Sequence, residues 1–403
     1  MQSSCRISHN YSILKGEHNL KILKPDSQLH RLISLLSVCG EFPVKSLDLL
    51  GNKRLYRRVI SECAIPITVQ NPITKETISL PKIFILTGKG RMKSIRLYKG
   101  ARPILTWLGE GEYYDSICYG YNMPMTTAHI DRNHRVAETL AAFMDAGFYY
   151  LPHTLPKLKS QGINRIITTQ PLTYPSRMLK ISDDGEVNKT GFSRITGAVF
   201  AGGDCYAVYN TRNAVMKWSG KGETKAMISL NIISKANAGI DNQHPPALLF
   251  GASQEIAFRS MLAMRKSTNV NLRFDMIIPK IHFIPLNRYG ARFLKFITIP
   301  RWRDCLLELL FDEENRSFNR GLFEFDAKID DKYVLSHLDS DLCRLNRFRE
   351  ALTIGTPEKY EVLCFEWQYA FVKKFMNDLA TVKIIGFDAV EKEMSELYKR
   401  YLE

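Results

Sequence analysis

The chain has 403 residues, 45% of them apolar and 24% charged, with a formal net charge of +15; this is ordinary globular composition and excludes a disordered or low-complexity protein. No apolar run reaches the 18 residues of a membrane helix, and the first 30 residues lack the unbroken apolar core of a signal peptide, so a cytoplasmic protein is expected. The eight cysteines stand no closer than 21 residues apart, and the nine histidines show no His-x-His or His-x-x-x-His spacing, which predicts buried thiols in a reducing compartment and neither metal nor cofactor.

The charge is unevenly placed. Residues 51–100 hold eleven Lys/Arg against two Asp/Glu, whereas residues 301–403 are net negative by five. A compact basic segment on a near-neutral or acidic body points to a polyanion-binding module on a larger scaffold.

In chain order, Asp26 and Ser27 are suited to cap a helix in which Leu29, Leu32, Ile33 and Leu36 share one face, and Gly40 ends it. Pro43 opens a short second helix through Leu50, Gly51 stops it, and Asn52 caps a third, "NKRLYRRVISEC". On that third helix Lys53, Arg54, Arg57 and Arg58 fall on one arc and Leu55, Tyr56, Val59, Ile60 and Cys63 on the other. Alone, such a face is a solvated basic surface. The next residues change its meaning: "IPITV" (65–69) and "LPKIFIL" (80–86) read as two strands joined by a polar tip, a β-hairpin wing. Two helices, a cationic helix and a wing make the order of a winged helix-turn-helix, whose third helix enters the major groove of double-stranded DNA. Lys75, Lys82, Lys89, Arg91 and Lys93 then add phosphate contacts around the wing.

The stretch "ILTGKGRM" (85–92) resembles a phosphate loop and fails as one. Ile83 stands where a Walker motif needs its first glycine, and Gly90 where it needs a hydroxyl; "SGKGETK" (219–225) fails at Val215 and Glu223 in the same way. Thr87 reads instead as the cap of a helix beyond the wing, with Lys89 and Arg91 at its start.

"IFILTGKGRMKSI" resembles the strand, Leu-Thr-x-Lys-Gly and helix segment that comes after the wing in the replication-relaxation family of bacterial plasmids and integrative conjugative elements. "HIDRNHRVAETLAAFMDAGF" (129–148) is similar to that family's next helix, a His-containing start continued by an Ala-rich amphipathic run. The resemblance covers about residues 27–150. It implies a DNA-binding factor of a bacterial mobile genetic element, acting in plasmid replication, conjugative transfer or their regulation, with proteins of the same element as further partners. The residues it carries over are Lys53, Arg54, Arg57 and Arg58, with the wing and Lys89 behind them.

The body is expected to begin after a Pro/Lys/Gly-bearing connection, "YLPHTLPKLKSQG". "SRITGAVF", a Gly-Gly-Asp turn, "CYAVYNT" and a long helix around "ETKAMISLNIISKANAG" come in the order that opens restriction-endonuclease-like cores. That chemistry needs clustered acids and an Asp/Glu-x-Lys on a strand to hold Mg²⁺. Asn210 and Thr211 occupy the acid positions, Asp204 lies in the turn, and Glu223-x-Lys225 falls on the helix, so a non-catalytic version is expected. Beyond it, "NLRFDMIIP", "KIHFIPL", "RWRDCLLELLF", "FEFDAKI", "YEVLCFEWQYAFVKKFM", "TVKIIGF" and "DAVEKEMSELYKRYL" predict strands and helices with a parallel sheet. Glu324, Asp326, Asp330, Asp331, Asp339 and Asp341 are read as alternating or capping acids, and Tyr113, Tyr114, Tyr149 and Tyr150 as packing aromatics. The expected class is mixed α/β (α+β): a winged helix-turn-helix over 1–125, a connecting helix over 126–155, and an α/β body over 156–403 with a candidate division near 265–320. The leading expectation is a DNA-binding protein that is not itself an enzyme. The alternatives are a metal-dependent nuclease with acids from 183–223 or 324–341, and a DNA-tethered interaction scaffold.

Overall fold

The computed structural model describes residues 20–117, 126–150, 170–180, 191–192, 194–216, 218, 220–266, 275, 277–317, 323–352 and 357–402. Leu20–Ile22 forms β1. Ser27 caps α1 (Gln28–Cys39), its hydroxyl accepting the His30 amide at 3.2 Å, and Gly40 ends the helix by donating its N–H to the Leu36 carbonyl. The expected second helix differs. Glu41–Pro43 is strand β2, and only Val44–Leu50 coils, as a 3-10 helix, because Pro43 sits in an extended conformation that the strand can use. Asn52 then caps α2 (Lys53–Glu62) by accepting the amides of Arg54 and Leu55.

Two hairpins stand where one wing was expected. β3 (Ile67–Gln70) pairs antiparallel with β4 (Thr77–Leu80) and parallel with β1, giving a sheet of order β1-β3-β4. The run "LPKIFIL" breaks after Leu80 at Pro81, which has no amide hydrogen to extend the ladder. β5 (Phe84–Thr87) instead pairs with β6 (Ser94–Leu97), and β6 with β2, in a second sheet of order β2-β6-β5. The helix expected beyond Thr87 is therefore also corrected: Thr87 is the last residue of β5, opposite Ser94, and residues 88–93 are the hairpin turn, with a 3-10 turn at Gly90–Met92. Gly88 makes the reversal possible. Its φ of 74° is left-handed, and a Cβ there would lie 2.5 Å from the Met92 carbonyl oxygen.

α3 (Arg102–Trp107) and α4 (Gly111–Ile117) close this unit over a core that includes Leu32, Ile33, Phe42, Tyr56, Ile60 and Ile95. α5 (Thr127–Asp145) joins it to the rest. Ala137, Leu140 and Ala141 enter the N-terminal core, while Ala142 and Phe143 pack with Val208, Phe250 and Ile284 of the body.

The body's first sheet has order β11-β10-β9-β8-β7. β7 (Leu172–Pro175), β8 (Gly197–Ala201) and β9 (Asp204–Arg212) form an antiparallel meander; α6 (Gly220–Ala238), β10 (Ala247–Gly251), α7 (Gln254–Lys266) and β11 (Ile281–Pro285) continue it with parallel strands. β8, β10 and β11 are buried from end to end, and β8 and β10 read as continuous apolar runs, as strands covered on both faces do. After α8 (Arg288–Ile297) and α9 (Trp302–Leu310), a second sheet of order β12-β13-β14-β15 is built from β12 (Ala327–Ile329), β13 (Lys332–Ser336), α10 (Leu342–Ala351), β14 (Tyr360–Phe365), α11 (Glu366–Met376) and β15 (Thr381–Ile385), and α12 (Phe387–Leu402) comes last. β13, β14 and β15 are parallel, as the strand-to-helix steps imply. No strand forms over residues 277–279 of the expected strand "NLRFDMIIP". The expected connection at 151–162 and the acids Asp183, Asp184 and Glu186 lie outside the described residues. The class is mixed α/β, and among the described residues no helix is long and apolar enough to cross a membrane.

Candidate nucleic-acid interface

α2 places its cations unequally. Arg54 and Arg57 are exposed and have neither ion-pair nor hydrogen-bond partner for their guanidinium groups among the described residues. Arg58 is exposed and tied to Glu62 at 2.7 Å; Lys53 is half-buried, 3.0 Å from the Lys45 carbonyl and 3.8 Å from Asp48. Tyr56 and Ile60 anchor the opposite face in the core. Leu55, expected in that face, is corrected: it is 45% exposed, because one helical turn against α1 and the 3-10 segment covers only the side that carries Tyr56 and Ile60.

The second set of unpartnered cations is the β5–β6 turn. Lys89, Arg91 and Lys93 are exposed there, and the turn is held by Met92 N–H donating to the Lys89 carbonyl (3.1 Å) and Lys93 N–H to the Gly90 carbonyl (3.2 Å). β5 begins at the end of α2, where the Cys63 carbonyl accepts the Ile83 and Phe84 amides. A four-residue strand is about 13 Å long, so the turn lies about that far from the helix end. Lys75 and Lys82 do not join this set. Lys75 sits at the β3–β4 tip with its ammonium on the Pro72 carbonyl (2.7 Å), and Lys82 lies between β4 and β5, 5.3 Å from the Tyr98 ring centre.

One basic residue was not anticipated. Burial lowers the Lys45 ammonium from its ordinary pKa, the nearby charges of Arg212 and Arg91 lower it further, and Glu138 and Asp131 partly offset this. Lys45 lines a crevice of about 180 Å³ with Ser46, Glu138 and Arg212 at the carboxyl ends of β9 and β10. Its signal in the sequence was faint: a single lysine inside the segment expected as the second helix.

Arg212 shows why the body departs from nuclease chemistry. Asn210, Thr211 and Arg212 end β9, where acids and a lysine are required. The Arg212 guanidinium fills the space between two carboxylates of α5, at 2.7 and 2.6 Å from Glu138 and 2.7 Å from Asp131. Asn210 donates to Glu138 at 3.2 Å and Ser46 to its other oxygen at 2.6 Å. Glu223 is buried on α6 and accepts the Tyr209 hydroxyl at 2.7 Å.

The later acids are similarly occupied. Arg344 bonds Glu324 (2.7 Å), Asp339 (2.9 Å) and Asp326, while Arg303 adds a 3.0 Å contact to Asp339 and Arg347 one to Glu324. Burial would raise Asp339, but Arg344 and Arg303 hold it well below the usual carboxylate range. Asp341 caps α10, and Asp330 and Asp331 form the left-handed β12–β13 turn. Tyr113 and Tyr114 are core aromatics, as expected; Tyr149 is not, being 52% exposed. No family model, curated protein or solved structure matches this chain.

Proposed function

We propose that the protein binds double-stranded DNA through residues 28–97 acting as a winged helix-turn-helix, with α2 in the major groove and the β5–β6 hairpin as the wing along the phosphate backbone. The observation that carries this reading is the set of five exposed cations without side-chain partners, Arg54 and Arg57 on α2 and Lys89, Arg91 and Lys93 on the adjoining turn. Unpaired cations on a rigid helix and a rigid turn gain on meeting phosphates, because the counterions released from DNA drive the association. The sheet order β2-β6-β5 supports it: a strand between the first two helical segments pairs with a hairpin that comes after the third. Together with the resemblance of residues 27–150 to the replication-relaxation family, the reading extends to a factor of a bacterial mobile genetic element serving its replication, transfer or regulation. The body then has a non-catalytic role, since Asn210-x-Arg212 replaces the acid-x-lysine that metal-dependent cleavage uses.

The test is duplex binding by fluorescence anisotropy over a salt series. Arg54→Ala with Arg57→Ala weakens binding and lowers the slope of log affinity against log salt by about 2. An unchanged slope and affinity would remove α2 from the interface. Mg²⁺-dependent nicking of supercoiled plasmid by the unaltered chain would promote the nuclease alternative.

A further inference from the structure

A cavity of about 470 Å³ opens between α1, the link from α3 to α4 and the end of α5. That size suits a small-molecule site, which is lined by apolar groups around a few convergent polar ones. The apolar lining is Leu108, Met144 and Phe148, joined by Tyr149 and Tyr150, and Glu110 contributes a carboxyl. We infer that this cavity binds a small organic cation, an amine on an aromatic or alkyl body, with Glu110 as its counter-ion.

The placement of the Glu110 carboxyl supports this. Tyr150 Oη lies 2.6 Å from one carboxyl oxygen and 3.2 Å from the Ser34 carbonyl, and Ser37 Oγ lies 2.7 Å from the Ser34 carbonyl while touching the other carboxyl oxygen. Both hydroxyls donate to the carboxyl, Tyr150 to one oxygen and Ser37 to the other, so the group is held in place whether or not it is ionised. Burial pushes the Glu110 pKa up to about 7 despite the Tyr150 hydroxyl, so near neutrality a share of the molecules carries the proton. An ammonium group beside it stabilises the carboxylate and displaces that proton.

The surroundings favour a cation over an anion. Lining the cavity are Asp26 just ahead of α1, His30 and Arg31 of α1, and Glu110 of the link; Asp145 at the end of α5 pairs with Arg31, and Tyr56 of α2 lies close to both. Arg31 is matched by Asp145 at 3.1 Å, and burial lowers the His30 imidazole from its ordinary pKa although Asp26 opposes this, so Asp26, and Glu110 once it ionises, have no full positive charge of their own beside them. Tyr149, half in solvent, presents an aromatic face on which a cation can rest.

Benzylamine, with benzoate and benzyl alcohol as controls, tests the site by calorimetry on the full chain. Benzylamine binds and releases a proton, seen as a dependence of the heat on the buffer; its affinity rises about tenfold from pH 6 to pH 8 as Glu110 ionises, and benzoate does not bind. Glu110→Gln keeps a group able to bond Tyr150 and Ser37, yet loses at least tenfold in affinity and all of the pH dependence. Tyr149→Ala, at a half-exposed position, weakens binding without unfolding the chain. Absence of benzylamine binding at pH 8, equal binding of benzoate, or an unchanged affinity in Glu110→Gln overturns the proposal.

Discussion

Arginine does opposite work in the two halves of this molecule. In the N-terminal unit Arg54, Arg57 and Arg91 stand in solvent without side-chain partners, whereas in the body Arg212 and Arg344 are buried and matched carboxylate by carboxylate. The net charge of +15 hides this contrast. Unpaired surface charge adds little to folding and much to attraction for a polyanion; buried, bidentate arginine fixes the relative placement of distant segments and offers nothing to a ligand. The lesson is that charge counts identify a binding surface only after the paired charges have been removed.

The largest expected effect lies in the body. Arg344→Ala leaves Glu324, Asp326 and Asp339 buried without their shared cation, and breaking a buried pair from one side costs about 3–5 kcal/mol. Urea unfolding measures this loss, and anisotropy under conditions where the variant stays folded should show DNA affinity close to that of the unaltered chain. A loss of under about 1 kcal/mol would mean that the body's arginines are not structural, and the contrast between the halves would fail.

That contrast was only partly legible in the sequence. The helices α6, α11 and α12 and the strands β14 and β15 were readable because local periodicity fixes them. The two N-terminal hairpins were not. "LPKIFIL" is a single apolar run, and only Pro81 records that its two ends belong to different sheets. Residues 88–93 resemble a helix start because Thr87 is a capping residue type, while the left-handed Gly88 that makes them a turn is equally common after a helix. Arg57 was identified and Lys45 missed for one reason: a run of cations on one helix is a local pattern, whereas the nearness of Lys45 to Arg91 and Arg212 depends on tertiary packing. The Arg212–Glu138 pair spans 74 residues, and nothing near either residue announces the other.

A second, smaller effect concerns how the two halves respond to pH. His134 of α5 is buried against the Ser94 hydroxyl (2.6 Å), and burial lowers its pKa to about 4. It stays neutral when folded, so folding loses stability as pH falls from the unfolded value near 6.5 toward 4. Glu110 has the opposite sense: its folded pKa of about 7 lies above the unfolded value, so its contribution is complete below about 4.5 and is lost as pH rises through 7. Each shift corresponds to about 3 kcal/mol. Between pH 4.5 and 6.5 the two slopes oppose each other, and Glu110→Gln removes one of them. Stability of that variant should then climb with pH from 4 to 6.5 more steeply than in the unaltered chain. Equal slopes in a denaturation series would show that Glu110 does not carry its proton in the folded state.

The smallest effect on folding tests the comparison most directly, by turning a paired cation into an unpaired one. Glu62 holds Arg58 at 2.7 Å and Lys21 at 2.8 Å on the partly exposed edge between α2 and β1. Glu62→Gln keeps the side chain's length and removes only its charge. Exposed pairs of this kind are worth about 0.2–1 kcal/mol, so the unfolding midpoint should barely move. DNA binding should change in the other direction, gaining affinity, with a salt slope steeper by about 1 as the Arg58 guanidinium becomes available to a phosphate. Tighter binding with unchanged stability would show that the surface arginines of α2 are held back only by their neighbours. Weaker binding would instead make the Arg58–Glu62 pair part of the helix's binding geometry, and the division between paired and unpaired charge would have to be redrawn at that residue.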